Sequence, residues 1–202
     1  MLHTYQDVVI ATTKNYVEDV LKTGINRTIA EHVANLLGLL QDIFEQENVS
    51  QPKGAKWKYL DKLPVYCIAY LMSKFGNYCR INMLPTQTGN NNKNMLLARY
   101  QEDGVNKGTW SGGTHWSEID GFLQEINEYN PFLTNSQRNE LYSQLFSMVP
   151  VVKRTEDPYL SAFNNGIFNW KNQKLLSFDP KYVFLSKCHI DFKLYVTEPM
   201  IT

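Results

Sequence analysis

Long apolar runs are missing from this chain of 202 residues. None approaches the roughly 18 residues that a membrane-crossing helix needs, so no membrane partner is expected. The N-terminus, Met1 to Asp7, has neither a basic segment nor an apolar core, so it does not read as a signal peptide. Cysteine is scarce: Cys67, Cys79 and Cys188 are an odd number without framework spacing. That pattern excludes a disulfide scaffold and fits reduced thiols in a cytoplasm. Metal chemistry is also poorly supplied. Cys188 and His189 are adjacent, so on a strand they point to opposite faces, and His3, His32 and His115 stand alone. No zinc site or other metal site is expected. A nucleophile elbow of the Gly-x-Ser-x-Gly kind is absent, and Ser111-Gly112-Gly113 reads as a turn. Thr86 to Lys93 comes near a phosphate loop and fails. The first glycine is missing, Lys93 does not follow a glycine, and Asn94 stands where Ser or Thr is required. No cofactor is expected.

What is present suits a globular domain. The composition is 43 % hydrophobic and 20 % charged, in a chain long enough to bury a core. Net charge is zero, yet unevenly spread. Residues 1–52 carry three Lys or Arg and seven Asp or Glu, a net of −4. Residues 53–101 carry eight basic residues against Asp61 alone, a net of +7. The remainder has a net of −3. A basic middle between acidic flanks is the composition of a nucleic-acid surface, and equally of a solvated basic face.

Residues 5–22 space Tyr5, Val9, Tyr16 and Val20 as a helix that Gly24 can end. Thr28 and Glu31 form a capping box opening a second helix to about Glu47, with Ile29, Val33, Leu36, Leu37, Leu40 and Phe44 on one stripe. Asn48 to Ala55 is loop chemistry. Lys53, Lys56, Lys58 and Lys62 then alternate with Trp57 and Tyr59. Cations for phosphates beside rings for bases make a single-strand binding composition. Pro64 opens a helix through Val65, Ile68, Leu71, Met72 and Phe75, which Gly76 stops. Tyr78 to Leu84 and Asn94 to Gln101 read as strands, separated by a polar loop. Thr109 to Ser111 is a return strand ended by Gly112-Gly113. Thr114 caps a helix with Trp116, Ile119, Phe122, Leu123 and Ile126 inward, stopped by Asn130-Pro131. Thr134 and Gln137 form a second capping box, with Leu141, Leu145 and Met148 inward and Pro150 beyond. Val151 to Lys153 is a further strand.

The stretch Ala162 to Pro180 reads as two short strands with turn chemistry between them. Asn165-Gly166 tolerates positive φ, and Ile167, Phe168 and Trp170 are strand formers. Lys171-Asn172-Gln173 is a polar turn, Leu175, Leu176 and Phe178 form the return, and Asp179-Pro180 ends the pairing. The expected fold class is therefore α+β: a helical N-terminal segment followed by a small mixed module of helices and short antiparallel strands and hairpins. The expected division is a helical hairpin at 1–50, a basic linker at 51–63 and the α+β module at 64–202.

The wording of that last stretch carries a resemblance. "Phe-Asn-Asn-Gly" from Phe163, an apolar-Asn-Trp strand, a Lys-rich turn, "Leu-Leu-Ser-Phe-Asp-Pro-Lys-Tyr-Val-Phe" and Ile190-Asp191-Phe192 together resemble one module. It is the N-terminal-like domain of phage and plasmid primase-helicases, named after the poxvirus primase-helicase. A Tyr100-ending strand leading through Asp103-Gly104-Val105 to Gly108 and Trp110 matches the same layout. The resemblance runs from about Pro64 to Phe192. In that family the module precedes a superfamily-three helicase motor and follows a primase.

The resemblance implies a DNA replication role in a phage or plasmid, supporting helicase assembly or guiding DNA. A primase core would need clustered aspartates for two magnesium ions. Asp103, Asp120, Asp157, Asp179 and Asp191 are scattered, so no catalytic residue is assigned and this chain alone is expected to catalyse nothing. The chain ends at Thr202, ten residues past Phe192, so both a fragment and a stand-alone remnant stay open. Expected partners are single-stranded or forked DNA and the helicase or primase domains of the same or a neighbouring chain. Self-association is left open. The nucleic-acid-binding residues selected are Lys53, Lys56, Trp57, Lys58, Lys62, Arg80, Lys93 and Arg99, with Lys153-Arg154 as a second candidate pair. Two alternatives remain. One is a protein interaction module using the acidic helices or the Trp170 hairpin without DNA. The other is an unrecognised nuclease.

Overall fold

Five stretches have the periodicity and the end chemistry of helices, and a computed structural model, which describes residues 4–83 and 94–194, folds them as α1 to α5. The chain divides into two compact units: the first holds the residues up to Tyr78 with His115–Ser117 and Gly121–Pro150, the second Cys79–Thr114, Glu118–Asp120 and Val151 onward. Helices and strands are thus largely sorted between the units, and the fold is α+β.

The first unit is helical. α1 (Tyr5–Thr23) opens on a capping box in which Thr4 Oγ1 accepts the Asp7 N–H and the Asp7 carboxylate accepts the Thr4 N–H. Gly24, at φ 65°, closes it in the left-handed conformation that glycine adopts without strain. α2 (Ile29–Ser50) opens on the expected Thr28–Glu31 box and runs three residues beyond Glu47, to Ser50. Leu36, Leu40 and Phe44 of its stripe are buried. α3 (Val65–Phe75) is apolar nearly all round. Cys67, Ile68, Ala69, Leu71 and Met72 are all fully enclosed, so α3 is the unit's central helix, packed on α1 and α5.

The helix expected from Thr114 does not form as one piece. The Thr114 N–H and hydroxyl go to the Glu118 carboxylate (2.7 and 3.2 Å), and Trp116–Glu118 is a single tight turn. Gly121, at φ 76°, then breaks the path, so α4 (Phe122–Tyr129) starts after it. Leu123 accordingly lies outward, 38 % exposed, where the single-helix reading had it inward. α5 (Asn135–Met148) opens on the Thr134–Gln137 box and buries Leu141 and Leu145.

The second unit carries two sheets. The first has the order β3-β2-β1-β4, from β1 (Tyr78–Asn82), β2 (Met95–Tyr100), β3 (Trp110–Gly113) and β4 (Val151–Val152). Gly112 and Gly113 belong to β3 instead of ending it: Gly112 pairs with Ala98 and Gly113 with Leu97. β4 runs parallel to β1, with Arg80 opposite Val151, a pairing of distant segments that local alternation does not announce. Cys79, Ile81, Ala98, Tyr100, Trp110 and Val183 form the core on one face of this sheet.

The second sheet is an antiparallel meander of β5 (Leu160–Phe163), β6 (Gly166–Asn169) and β7 (Lys174–Leu176). It has one strand more than the two expected. Its turns also differ in detail. Gly166 takes positive φ, but Asn165 does not. Instead the Asn165 amide clamps Phe192, accepting its N–H (2.9 Å) and donating to its carbonyl (3.0 Å). The left-handed residue of the next turn is Gln173, and Asn169 Oδ1 caps that turn by accepting the N–H groups of Lys171 and Asn172.

Candidate nucleic-acid interface

The candidate basic residues of the first unit sit on the segment joining α2 to α3, and Trp57 holds that segment in place. The Trp57 N–H donates to Asn48 Oδ1 (2.7 Å) and its carbonyl accepts from Asn48 Nδ2 (3.0 Å). Its half-buried ring meets the rings of Phe44 and Tyr5 edge-on, with centroids 5.1 and 5.8 Å away. Lys53, Lys56 and Lys58 project from this anchored segment into solvent. Lys62 is exposed too, with its ammonium 4.2 Å above the Phe132 ring. Composition had drawn Trp57 as a stacking platform for bases; in the fold its ring is engaged with two neighbouring rings.

In the second unit, alternation along the strands places the other candidates. Cys79 and Ile81 face the core, so Arg80 between them faces the opposite side. Ala98 and Tyr100 likewise put Arg99 on that side, where it pairs with Ser111 across β2 and β3. Arg80 and Arg99 therefore share one face of the sheet, and both are half-buried. Lys153 and Arg154 follow β4 directly and are exposed. The next residue, Thr155, ties the chain down: its N–H donates to the Val183 carbonyl and its Oγ1 accepts the Val183 N–H. Lys93 lies outside the described residues, as does the Thr86 to Lys93 loop.

One basic cluster was missed in the sequence. Lys107, Asn164, Lys187 and His189, with Gly104 and Val105, line an open cleft of about 680 Å³. The Lys187 ammonium donates to the Lys107 carbonyl (2.9 Å) and stands 5.4 Å over the Phe178 ring. Partial burial, then the neighbouring Lys107 ammonium, hold Lys187 below the ordinary lysine value. Nothing local links these residues, since Lys107 and Lys187 are 80 positions apart.

Groups able to do covalent chemistry are poorly placed for it. Burial pushes the Cys67 thiol up to about 11, against a partly offsetting hydrogen bond with Thr13, and the Cys79 thiol up to about 12. Neither is a thiolate near neutrality. His115 links Ser117 Oγ (2.8 Å) to Asn139 Oδ1 (3.1 Å), an order that mimics a nucleophile, base and orienter. All three are exposed, and His115 Nδ1 also accepts the Ser117 N–H (3.3 Å), which makes the imidazole a cap for its own turn. Among the described residues no three His, Cys, Asp or Glu converge as metal ligands. Among the same residues no helix is long and apolar enough to cross a membrane.

Comparison with protein-family models identifies a family. The family model described as "D5 N terminal like" matches residues 95–202, more than half of the chain, starting at β2. No curated protein sequence matches it.

Proposed function

The chain belongs to the D5 N terminal like family, the N-terminal module of primase-helicase proteins, and on that premise we propose that it is a non-catalytic accessory module of a phage or plasmid replication primase-helicase. In this reading it supports assembly of the helicase and contacts single-stranded or forked DNA in the cytoplasm. The family match over residues 95–202 is the observation that carries the reading. The exposed lysines Lys53, Lys56 and Lys58, and the exposed pair Lys153-Arg154, supply the charge such a contact needs. The test is fluorescence anisotropy of a labelled single strand at low and at moderate salt. Micromolar binding that weakens steeply with salt is expected; no binding at low salt overturns the DNA contact.

A second reading, a module that binds a neighbouring subunit and no DNA, has one observation in its favour. Trp170 is 50 % exposed and Leu175 43 % exposed on the outer part of the β5–β7 meander. Light scattering across concentration tests it: self-association lost in Trp170→Ser supports subunit contact there, and a constant mass with full DNA binding removes it.

A further inference from the structure

We propose that the cleft lined by Lys107, Asn164, Lys187 and His189 is a binding site for a phosphoryl group. Naming DNA as the source of that phosphate rests on the reading above; the site itself does not.

The argument starts from charge. Two lysines and a histidine line one cleft, and no Asp or Glu is among its lining residues. Neither lysine has an ion pair among the described residues, in contrast to Lys181, which lies 2.9 Å from the Asp179 carboxylate. Like charges brought together without a counter-ion repel, and an anion between them removes that repulsion. Partial burial first, and the Lys107 ammonium second, hold the basicity of Lys187 down.

Geometry adds to charge. Lys187 is not a free-swinging side chain: the Lys107 carbonyl fixes its ammonium and the Phe178 ring lies beneath it. Phe178 reaches this position because residue 108 is glycine; a Cβ there would come within 2.0 Å of the Phe178 ring. Across the cleft, the Asn164 N–H donates to the Ile190 carbonyl and the Cys188 N–H to the Ala162 carbonyl, so the segment holding His189 is pinned to the end of β5. A cleft whose donors are held before the ligand arrives loses less entropy on binding. Lysine serves phosphate as a point charge, and Asn and His add directional N–H donors.

The cleft also borders a second feature of single-strand sites. Three residues beyond His189, Phe192 stacks on Phe168 at 3.8 Å and meets the exposed Trp170 edge-on at 5.8 Å. Phosphate contacts followed along the same segment by aromatic rings are the pairing that single-stranded nucleic acid uses.

The experiment is an NMR amide titration of the full chain with sodium phosphate against sodium chloride of equal ionic strength. It is paired with single-strand anisotropy on wild type, Lys107→Gln and Lys187→Gln, and with Lys181→Gln as a surface control. Saturable, phosphate-specific shifts at Lys107, Asn164, Lys187 and His189 are expected, with phosphate affinity falling about two- to five-fold in each cleft variant. If DNA is the source, the salt dependence of DNA binding also loses about 0.7 in slope per lysine removed, and Lys181→Gln leaves it unchanged. Phosphate shifts with an unchanged DNA slope keep the site and assign it to a free phosphate or nucleotide. Shifts no larger than with chloride overturn the proposal, whatever DNA does. A wild type that binds no DNA overturns the reading above and leaves the phosphate titration as the judge of this site. Lys107 is exposed, so its variant does not endanger the fold.

Discussion

The His32 imidazole lies on the Phe75 ring, with centroids 4.3 Å apart and planes 24° from parallel, while its Nδ1 meets Tyr16 Oη at 3.0 Å. Arg27 donates to the same Tyr16 oxygen (3.1 Å). A neutral ring whose Nδ1 accepts the Tyr16 hydroxyl satisfies both groups. Burial first, and the Arg27 charge second, lower the His32 pKa. The folded value lies below the unfolded one, so the unfolded chain takes up the proton first as pH falls. Stability from this site is complete above the ordinary histidine value of about 6.5 and is lost below it. Thermal midpoints measured from pH 7.5 to 5 are expected to fall in the wild type, and to fall less in His32→Asn. Equal slopes in the two proteins would assign the loss to other groups.

Gly108 and Phe178 set a second expectation. Gly108 has φ 85°, and a Cβ there would meet the Phe178 ring at 2.0 Å. Gly104, at φ 69°, has open space around it. Gly104→Ala therefore carries only the left-handed strain, about 1 kcal/mol. Gly108→Ala adds overpacking, for about 2–4 kcal/mol altogether. Urea denaturation of the pair measures the difference, and equal midpoints would mean that Phe178 swings aside without cost.

The parts of this fold that could be read from the chain are those fixed by neighbours in sequence. The Thr28–Glu31 and Thr134–Gln137 boxes, the Gly24 stop and the apolar α3 depend on residues within a turn or two of each other. The errors lie where a local exception to the pattern or a distant contact decides. Residues 114–129 have a continuous helical stripe, but Gly121 in the left-handed conformation and the Thr114–Glu118 bonds split it. The parallel pairing of β4 with β1 joins segments about 70 positions apart, Arg80 with Val151. The candidate interface divides in the same way. Four lysines in one segment are visible in composition, whereas the Lys107–Lys187 cleft needs the fold to bring its two halves together.

The three thiols should differ sharply in reactivity. Cys67 and Cys79 are buried, with thiols pushed up to about 11 and about 12, while Cys188 is exposed. A chromogenic disulfide reagent at pH 8 is expected to titrate one thiol quickly in the native chain and all three in denaturant. Cys188→Ser should abolish the fast phase. Rapid reaction of two or more thiols in the native protein would mean that α3 or β1 opens readily.

Trp57 separates a stabilising role from a binding role. Its ring packs on Tyr5 and Phe44, and its backbone is held by Asn48. Removing a half-buried indole from such a cluster costs about 2–3 kcal/mol of stability. Trp57→Phe keeps an aromatic ring at this position and is expected to recover most of that. If Trp57→Ala also lowers single-strand affinity while Trp57→Phe restores it, an aromatic ring at 57 contacts bases; if stability falls and affinity does not, the ring only anchors the segment.

The two exposed basic groups can be set against each other. Lys53, Lys56 and Lys58 belong to the first unit, and Lys153 and Arg154 to the second, which also holds most of the family match. Each phosphate contact on a single strand adds about 0.7 to the slope of log affinity against log salt. Changing all three lysines to Gln should therefore lower that slope by about 2 if the first unit carries the contact, and changing Lys153 and Arg154 to Gln by about 1.4 if the second does. All five side chains are exposed, so neither set of changes should move the unfolding midpoint by more than about 1 kcal/mol. A fall confined to the Lys153–Arg154 variant would place DNA on the module shared with the family and make the lysine-rich segment a solvated connection. A fall confined to the triple variant would mean that the contact lies outside the family module, and that this chain brings its own DNA-binding segment to it.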